Sequence, residues 1–132
     1  MPSSTTSRAE TRGIVVRVRS QYVPERSDPD EDRWFFAYHI RIENGGERKV
    51  QLLNRTWKIT DGRGEVQEVR GPGVVGEQPV LGPGEHFEYT SACPLSTPLG
   101  TMEGSYEMVT DDGERFDAQI ALFSLQDPQA LN

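Results

Sequence analysis

The sequence of 132 residues lacks several features that would point to particular classes of protein. Cys93 is the single cysteine, so no disulfide can form within the chain and a reducing compartment is expected. No apolar run is long enough for a signal peptide or a membrane span. Acidic residues outnumber basic ones by 21 to 14, and the net charge of −7 disfavours nucleic acid as a partner. We therefore expect a cytoplasmic protein that binds neither membranes nor nucleic acids.

The sequence also lacks the patterns of a catalytic centre or a metal site, so we expect no enzyme activity and no cofactor. His39 and His86 lie far apart in the chain, and neither has a second ligand at a metal-binding spacing. We expect both to point outward from strands. Cys93 has no activating histidine beside it, which indicates a half-buried, inert thiol. The acidic run at residues 28–32 lacks the glycine and glutamate of a calcium loop and is expected to be a solvated loop.

Alternating apolar and polar residues recur along the chain between clusters of glycine, proline, asparagine and aspartate, and no segment has a helical period. The clearest example is WFFAYHIRIEN, residues 34–44, whose predicted inner face carries Trp34, Phe36, Tyr38, Ile40 and Ile42. The pattern predicts an all-β protein of seven or eight short strands, an antiparallel β-sandwich of the immunoglobulin or fibronectin type III kind. We expect one domain over residues 11–125, with flexible segments over residues 1–10 and 126–132.

Three local patterns refine this expectation. Asn44-Gly45 predicts a tight hairpin that joins the strand at 34–44 to the next strand. The apolar phase changes after Leu52, which predicts a β-bulge there. In RFDAQIALF the alternation predicts four buried side chains, those of Phe116, Ala118, Ile120 and Leu122.

A glycine-rich loop, RGPGVVGEQP at residues 70–79, has the G-x-G-x-x-G spacing on Gly71, Gly73 and Gly76. A dinucleotide-binding turn needs a helix that begins at the third glycine, and Pro79 with the Gly-Pro-Gly that follows excludes one. Two interpretations stay open. The glycines either allow positive φ in a connecting loop whose valines plug the edge of the core, or they let successive N–H groups bind a small anion such as pyrophosphate or a nucleotide. The candidate anion-binding residues are Arg55, Arg70, Gly71, Gly73, Val74, Val75 and Gly76.

Four stretches carry a family resemblance: FFAYHIRIENGGERKVQLLNR, RTWKITDGRGEVQEVRGPGVVGEQPVLGPGEHFEYTS, TPLGTMEGSYEM and RFDAQIALFSL. Through them most of the chain, from about residue 13 to residue 125, resembles the ApaG domain family. The ordered combination of GVVGEQP and PGEHFEYTS is specific to it. The family's G-x-G-x-x-G falls on the three glycines of the loop. Thr56 and Lys58 stand beside Trp57, where members often have a histidine and an aliphatic residue.

This resemblance implies an immunoglobulin or fibronectin type III-like β-sandwich and a stand-alone bacterial version of a domain. The same domain occurs as a module in some eukaryotic F-box proteins and in a polymerase-interacting protein, where it binds other proteins. Bacterial members are often encoded beside a diadenosine tetraphosphate hydrolase and have been linked with cobalt and magnesium efflux. We therefore expect a non-catalytic binding module with a protein partner, and a homodimer is also open. The alternative is small-anion binding at the loop over residues 71–76.

Overall fold

The computed structural model describes residues 5–131, and this part of the chain forms nine β-strands and three short 3-10 turns. The strands are β1 (Thr6–Thr11), β2 (Ile14–Tyr22), β3 (Trp34–Asn44), β4 (Val50–Asp61), β5 (Val66–Pro72), β6 (Val80–Leu81), β7 (His86–Leu95), β8 (Leu99–Thr110) and β9 (Arg115–Gln126). The 3-10 turns lie at Pro24–Arg26, Pro29–Glu31 and Pro128–Leu131.

The strands form two antiparallel sheets that pack against each other. One sheet has the order β1-β2-β3-β7, and the other has the order β5-β4-β8-β9 with β6 also paired to β4. Both sheets contribute alternate residues to a single core, as a sandwich requires. At its centre the Trp57 ring packs against three aromatic rings of both sheets, those of Tyr38, Tyr106 and Phe123. The prediction of an antiparallel β-sandwich is confirmed.

Strand β3 follows its predicted alternation. Its buried side chains belong to Phe36, Tyr38, Ile40 and Ile42. Trp34, at the start of the strand, is only partly buried but packs against the core. Arg41 and Glu43 lie on the outer face and are half-exposed. One face of β3 therefore belongs to the core and the other displays ionic groups.

The prediction of an Asn44-Gly45 hairpin is wrong. β3 pairs with β2 and β7, whereas β4 belongs to the other sheet, so the chain crosses between sheets after Asn44. Asn44 is 2% exposed, and its amide donates to the carbonyls of Arg48 at 2.7 Å and Leu81 at 2.9 Å. Its side-chain oxygen accepts the Gly46 N–H at 3.0 Å. Asparagine is needed here because a buried amide must satisfy backbone groups at the crossover, not because a tight turn requires positive φ.

The predicted flexible N-terminal segment is wrong for residues 6–10, which form β1 and pair with β2 along their length. Residues 1–4 lie outside the described residues. Small hydroxyl side chains bind β1 to β9, because Ser7 donates to the Ala121 carbonyl at 2.8 Å and Thr11 accepts the Gln119 N–H at 3.1 Å. At the other end, β9 continues to residue 126 and a 3-10 turn follows over residues 128–131, where a flexible tail was predicted. Polar composition at the two ends therefore hid regular structure.

Two bulges change which residues face the core. The register of β4 against β8 shifts between Leu52 and Asn54, which confirms the predicted bulge. A second bulge lies in β9. Ile120 pairs with Gly104 and Phe123 with Met102, so β9 has one more residue than β8 between these two pairs. The prediction that Leu122 is buried is therefore wrong, because it is 48% exposed and Phe123 takes the core position.

Candidate functional site

The glycine loop contains a two-residue turn at its tip. Val74 and Glu77 exchange two backbone hydrogen bonds, at 2.8 Å from the Val74 N–H and 2.9 Å from the Glu77 N–H. The two residues between them, Val75 and Gly76, have φ of 44° and 82°. Positive φ at both central positions is the signature of a type I′ turn, in which Asn-Gly is the preferred pair. We call residues 74–77 the valine turn.

The two valines of the valine turn have opposite roles. Val74 is 1% exposed and belongs to the core, so it anchors the turn to the sandwich. Val75 is 56% exposed, although it occupies a left-handed backbone conformation that β-branched residues rarely adopt. Strain of this kind persists only where the surrounding structure enforces it, and it is concentrated at functional sites. The prediction that both valines plug the core edge therefore holds for Val74 alone.

Arg55 fixes the approach to the valine turn. Its guanidinium donates to the carbonyls of Pro72 and Gly73, both at 2.9 Å, and lies close against Gly71. A donor bound to two carbonyls has a structural role, since it satisfies backbone acceptors that the loop leaves unpaired. Arg55 therefore stabilises the loop by binding the backbone just before the valine turn.

Arg55 and Arg70 start from opposite faces of the sheet, although both line one depression at its edge. Arg55 stands opposite Gly71 and Tyr106 in the sheet, on the core side, whereas Arg70 stands opposite Thr56 on the outer side. Two N–H groups of the loop already donate to backbone carbonyls and are not free for an anion. The Gly73 N–H donates to Leu53, and the Val74 N–H donates to Glu77. Of the candidate anion-binding residues, Arg55, Arg70 and Gly71 line one depression, but Arg55 is bound to carbonyls and Val74 is buried in the core.

Arg70 lines a shallow depression of about 590 Å³ together with Arg55, Gly71 and two acidic side chains. These are Glu107 and Asp117. Hydrogen bonding from the Asn54 amide, followed by Arg115, lowers the pKa of Glu107, which keeps it ionised at neutral pH. An anion beside Arg70 would therefore meet a fixed negative charge.

A second cluster lies on the outer face of the other sheet, around Glu88. The carboxylate accepts a hydrogen bond from His39 at 2.8 Å and one from Arg41 at 3.2 Å, and its second oxygen lies 3.3 Å from His86. Hydrogen bonding to His39 is the main cause of a lowered pKa at Glu88. Both histidines point outward as predicted, but sequence reasoning missed that β3 and β7 place them on one carboxylate. No group of three or more His, Cys, Asp or Glu within residues 5–131 is arranged to hold a metal ion.

The buried thiol and tyrosine hydroxyls within residues 5–131 are not activated as nucleophiles. Burial raises the pKa of the Cys93 thiol to about 11, so the thiolate is scarce at neutral pH. The hydroxyls of Tyr89 and Tyr106 bind each other in the core, and burial raises the pKa of both. None of the helical segments among the described residues has the length and apolarity to cross a membrane.

Comparison with known proteins identifies relatives over nearly the full length of the chain. A family model, the ApaG domain, matches residues 24–110. Protein ApaG of Methylobacterium sp. (strain 4-46) is 64% identical over 121 residues, covering 92% of this chain and 93% of the relative. Protein ApaG of Aromatoleum aromaticum is 54% identical over 126 residues, covering 96% and 99%. The crystal structure of the ApaA protein from Bordetella pertussis aligns with a TM-score of 0.85 and 49% identity, covering 97% of this chain and 99% of that one.

Proposed function

The chain belongs to the ApaG domain family, and from this premise we propose that it is a non-catalytic module that binds another protein through the valine turn. The observation that carries the proposal is Val75, a β-branched residue held exposed with positive φ. A turn selected for stability alone would carry asparagine or glycine there. A valine that costs stability and contacts solvent is expected to act where it meets a partner.

The surroundings of the valine turn support a rigid contact. Val74 anchors it in the core, and Arg55 binds the two carbonyls that precede it. A preformed turn loses little conformational entropy on binding, so an apolar side chain at its tip contributes more of its contact energy to affinity. Val80, also exposed, follows shortly along the chain in β6 and could extend the apolar contact.

Absence of catalysis is part of the same proposal. The names of the relatives state no reaction, and the residues described above offer neither an activated nucleophile nor a metal cluster. A cytoplasmic location is also proposed, since the single cysteine is a free, buried thiol. The anion alternative has less support, because Arg55 is occupied by carbonyls and Arg70 lies beside Glu107.

The test uses the wild type and two variants as bait in a native lysate, each variant changing one exposed apolar residue. Val75→Asn keeps the turn and removes the apolar tip, whereas Leu122→Asn changes a similarly exposed residue on β9. We expect a specific protein to be captured by the wild type and by Leu122→Asn but lost from Val75→Asn. Capture that is unaffected by Val75→Asn would contradict the proposal. Micromolar pyrophosphate binding that is lost in Arg70→Ala would favour the anion alternative instead.

A further inference from the structure

β5 leaves one edge of its sheet open. Among the strands of residues 5–131 it pairs with β4 alone, and most of its residues are exposed. The opposite edge of the same sheet is different, because β1 covers β9 through the Ser7 and Thr11 hydroxyls. An uncovered edge presents unpaired N–H and C=O groups to any strand of matching pattern.

Two hydrogen bonds show which groups of β5 face solvent. Asp61 donates its N–H to the Glu65 carbonyl, and Gly73 donates its N–H to the Leu53 carbonyl, both at 2.9 Å. In both bonds the residue next to or in β5 is odd-numbered, so the odd-numbered residues direct their N–H and C=O groups toward β4. In an antiparallel ladder the next residue along the strand directs its groups the opposite way. The N–H and C=O groups that point away from β4 therefore belong to Val66, Glu68 and Arg70.

We propose that β5 is the interface of a symmetric dimer in which the β5 strands of two copies of this chain pair antiparallel. With Val69 on the two-fold axis, Glu68 of each copy stands opposite Arg70 of the other, and Val66 opposite Pro72. Glu68 and Arg70 would exchange backbone hydrogen bonds across the axis. The Pro72 carbonyl already accepts a hydrogen bond from Arg55, so the N–H of Val66 would donate to its second lone pair. The N–H that Pro72 lacks falls at the end of the paired stretch, where its absence costs least.

The side chains of β5 favour a second copy over another partner. Its outer face reads Val, Glu, Arg, Pro at alternate positions, and this series is complementary to itself when reversed. Neither Glu68 nor Arg70 forms an ion pair with another described residue. A two-fold interface requires such self-complementarity, and opposite charges directly across a strand pair stabilise it. The edge of β7 lacks this self-complementarity, because the one acidic residue of β7, Glu88, is bound to His39 and Arg41 of the same chain.

The charge pairs allow a test by exchange. Position 68 of each copy faces position 70 of the other, so each dimer has two such pairs. Glu68→Arg alone makes both pairs arginine–arginine, and Arg70→Glu alone makes both pairs glutamate–glutamate. We expect sedimentation of the wild type from about 10 µM to about 1 mM to show a monomer–dimer equilibrium, with the dissociation constant raised about tenfold or more in each variant. An equimolar mixture of the two variants restores both pairs and is expected to form a heterodimer.

A matched proline pair tests the backbone bonds. Glu68→Pro removes an N–H that faces solvent, so the fold is expected to survive while the dimer is lost. Val69→Pro removes an N–H that serves β4 and is expected to lower the melting temperature. A wild type that remains monomeric to about 1 mM, or variants that fail to associate when mixed, would overturn the proposal. Val75→Asn, which lies outside the interface, is expected to dimerise normally, so this test is independent of the proposed function.

Discussion

Replacing Val75 by asparagine should stabilise the protein while removing its proposed contact. Val75 has φ of 44° in the valine turn, next to Gly76 with φ of 82°. Asparagine tolerates this conformation because its short side chain has no branch at Cβ, and Asn-Gly is the pair that type I′ turns prefer. The change leaves Val74 in the core and Arg55 on its carbonyls.

The magnitude follows from two opposing contributions. Relief of a β-branched residue from the left-handed region is worth about 1–2 kcal/mol. Val75 is 56% exposed, so the loss of its apolar contacts costs only about 0.5 kcal/mol. The net gain is about 1 kcal/mol, which corresponds to about 3–5 °C in melting temperature for a domain of this size.

Thermal denaturation followed by far-ultraviolet circular dichroism, with urea unfolding beside it, measures the gain. Val75→Gly is the first control, because it relieves the same strain but adds about 1 kcal/mol of unfolded-state entropy and should be near neutral. Val80→Asn is the second, since it removes an exposed valine from a strand without any strain to relieve. A Val75→Asn variant that melts at or below the wild-type temperature would refute the argument from strain.

The remaining predictions concern the loop and its charges. Gly73→Ala should destabilise by about 2 kcal/mol or more, because a Cβ there would overlap the Glu77 carbonyl oxygen at a φ of 62°. Gly76→Ala, with a φ of 82° and open space around it, should cost only about 1 kcal/mol, and equal urea midpoints for both variants would contradict this difference. Arg55→Ala should cost about 1–3 kcal/mol through two unsatisfied carbonyls and increase hydrogen exchange in residues 72–77, an effect that Arg70→Ala should not reproduce. The folded-state pKa of Glu88 is lowered from 4.5, so its stabilising contribution is present above that pH and is lost on acidification; melting temperatures between about pH 7 and pH 3 should fall less steeply in Glu88→Gln.

Much of the fold follows from the sequence because alternation with a period of two reports directly which face of a strand is buried. β3 is the clearest case, with Phe36 and Ile40 in the core and Arg41 outside. The change of apolar phase at Leu52 even revealed a bulge. The second bulge left a weaker signal, because Leu122 and Phe123 are both apolar and only Ser124 and Leu125 beyond them mark the change of phase. The pairing with β8 decides between them.

The candidate site was harder to predict for a different reason. The glycine spacing located the loop correctly, but the roles of its residues depend on the sheet beside it. Arg55 and Arg70 look equivalent in the sequence, whereas the register of β4 against β5 puts them on opposite faces. Likewise, Asn44-Gly45 satisfies the pattern of a local hairpin, and only the assignment of β3 and β4 to different sheets shows that it is a crossover. Pairing partners distant in sequence decide these points, and no local pattern encodes them.

The crossover at Asn44 also bears on the order in which the parts of the protein fold. Its buried amide joins the end of β3 to the Leu81 carbonyl of β6, and this bond forms only after both sheets have come together. The pairs β1–β2, β4–β5 and β8–β9 close through short turns and can form early, whereas β3–β7 and β4–β8 join segments tens of residues apart. Closing such long loops is the slow step in sandwich proteins, which fold in roughly milliseconds to seconds. We expect truncation of the Asn44 side chain to speed unfolding more than it slows folding, because its bond to Leu81 forms after the rate-limiting encounter of the two sheets.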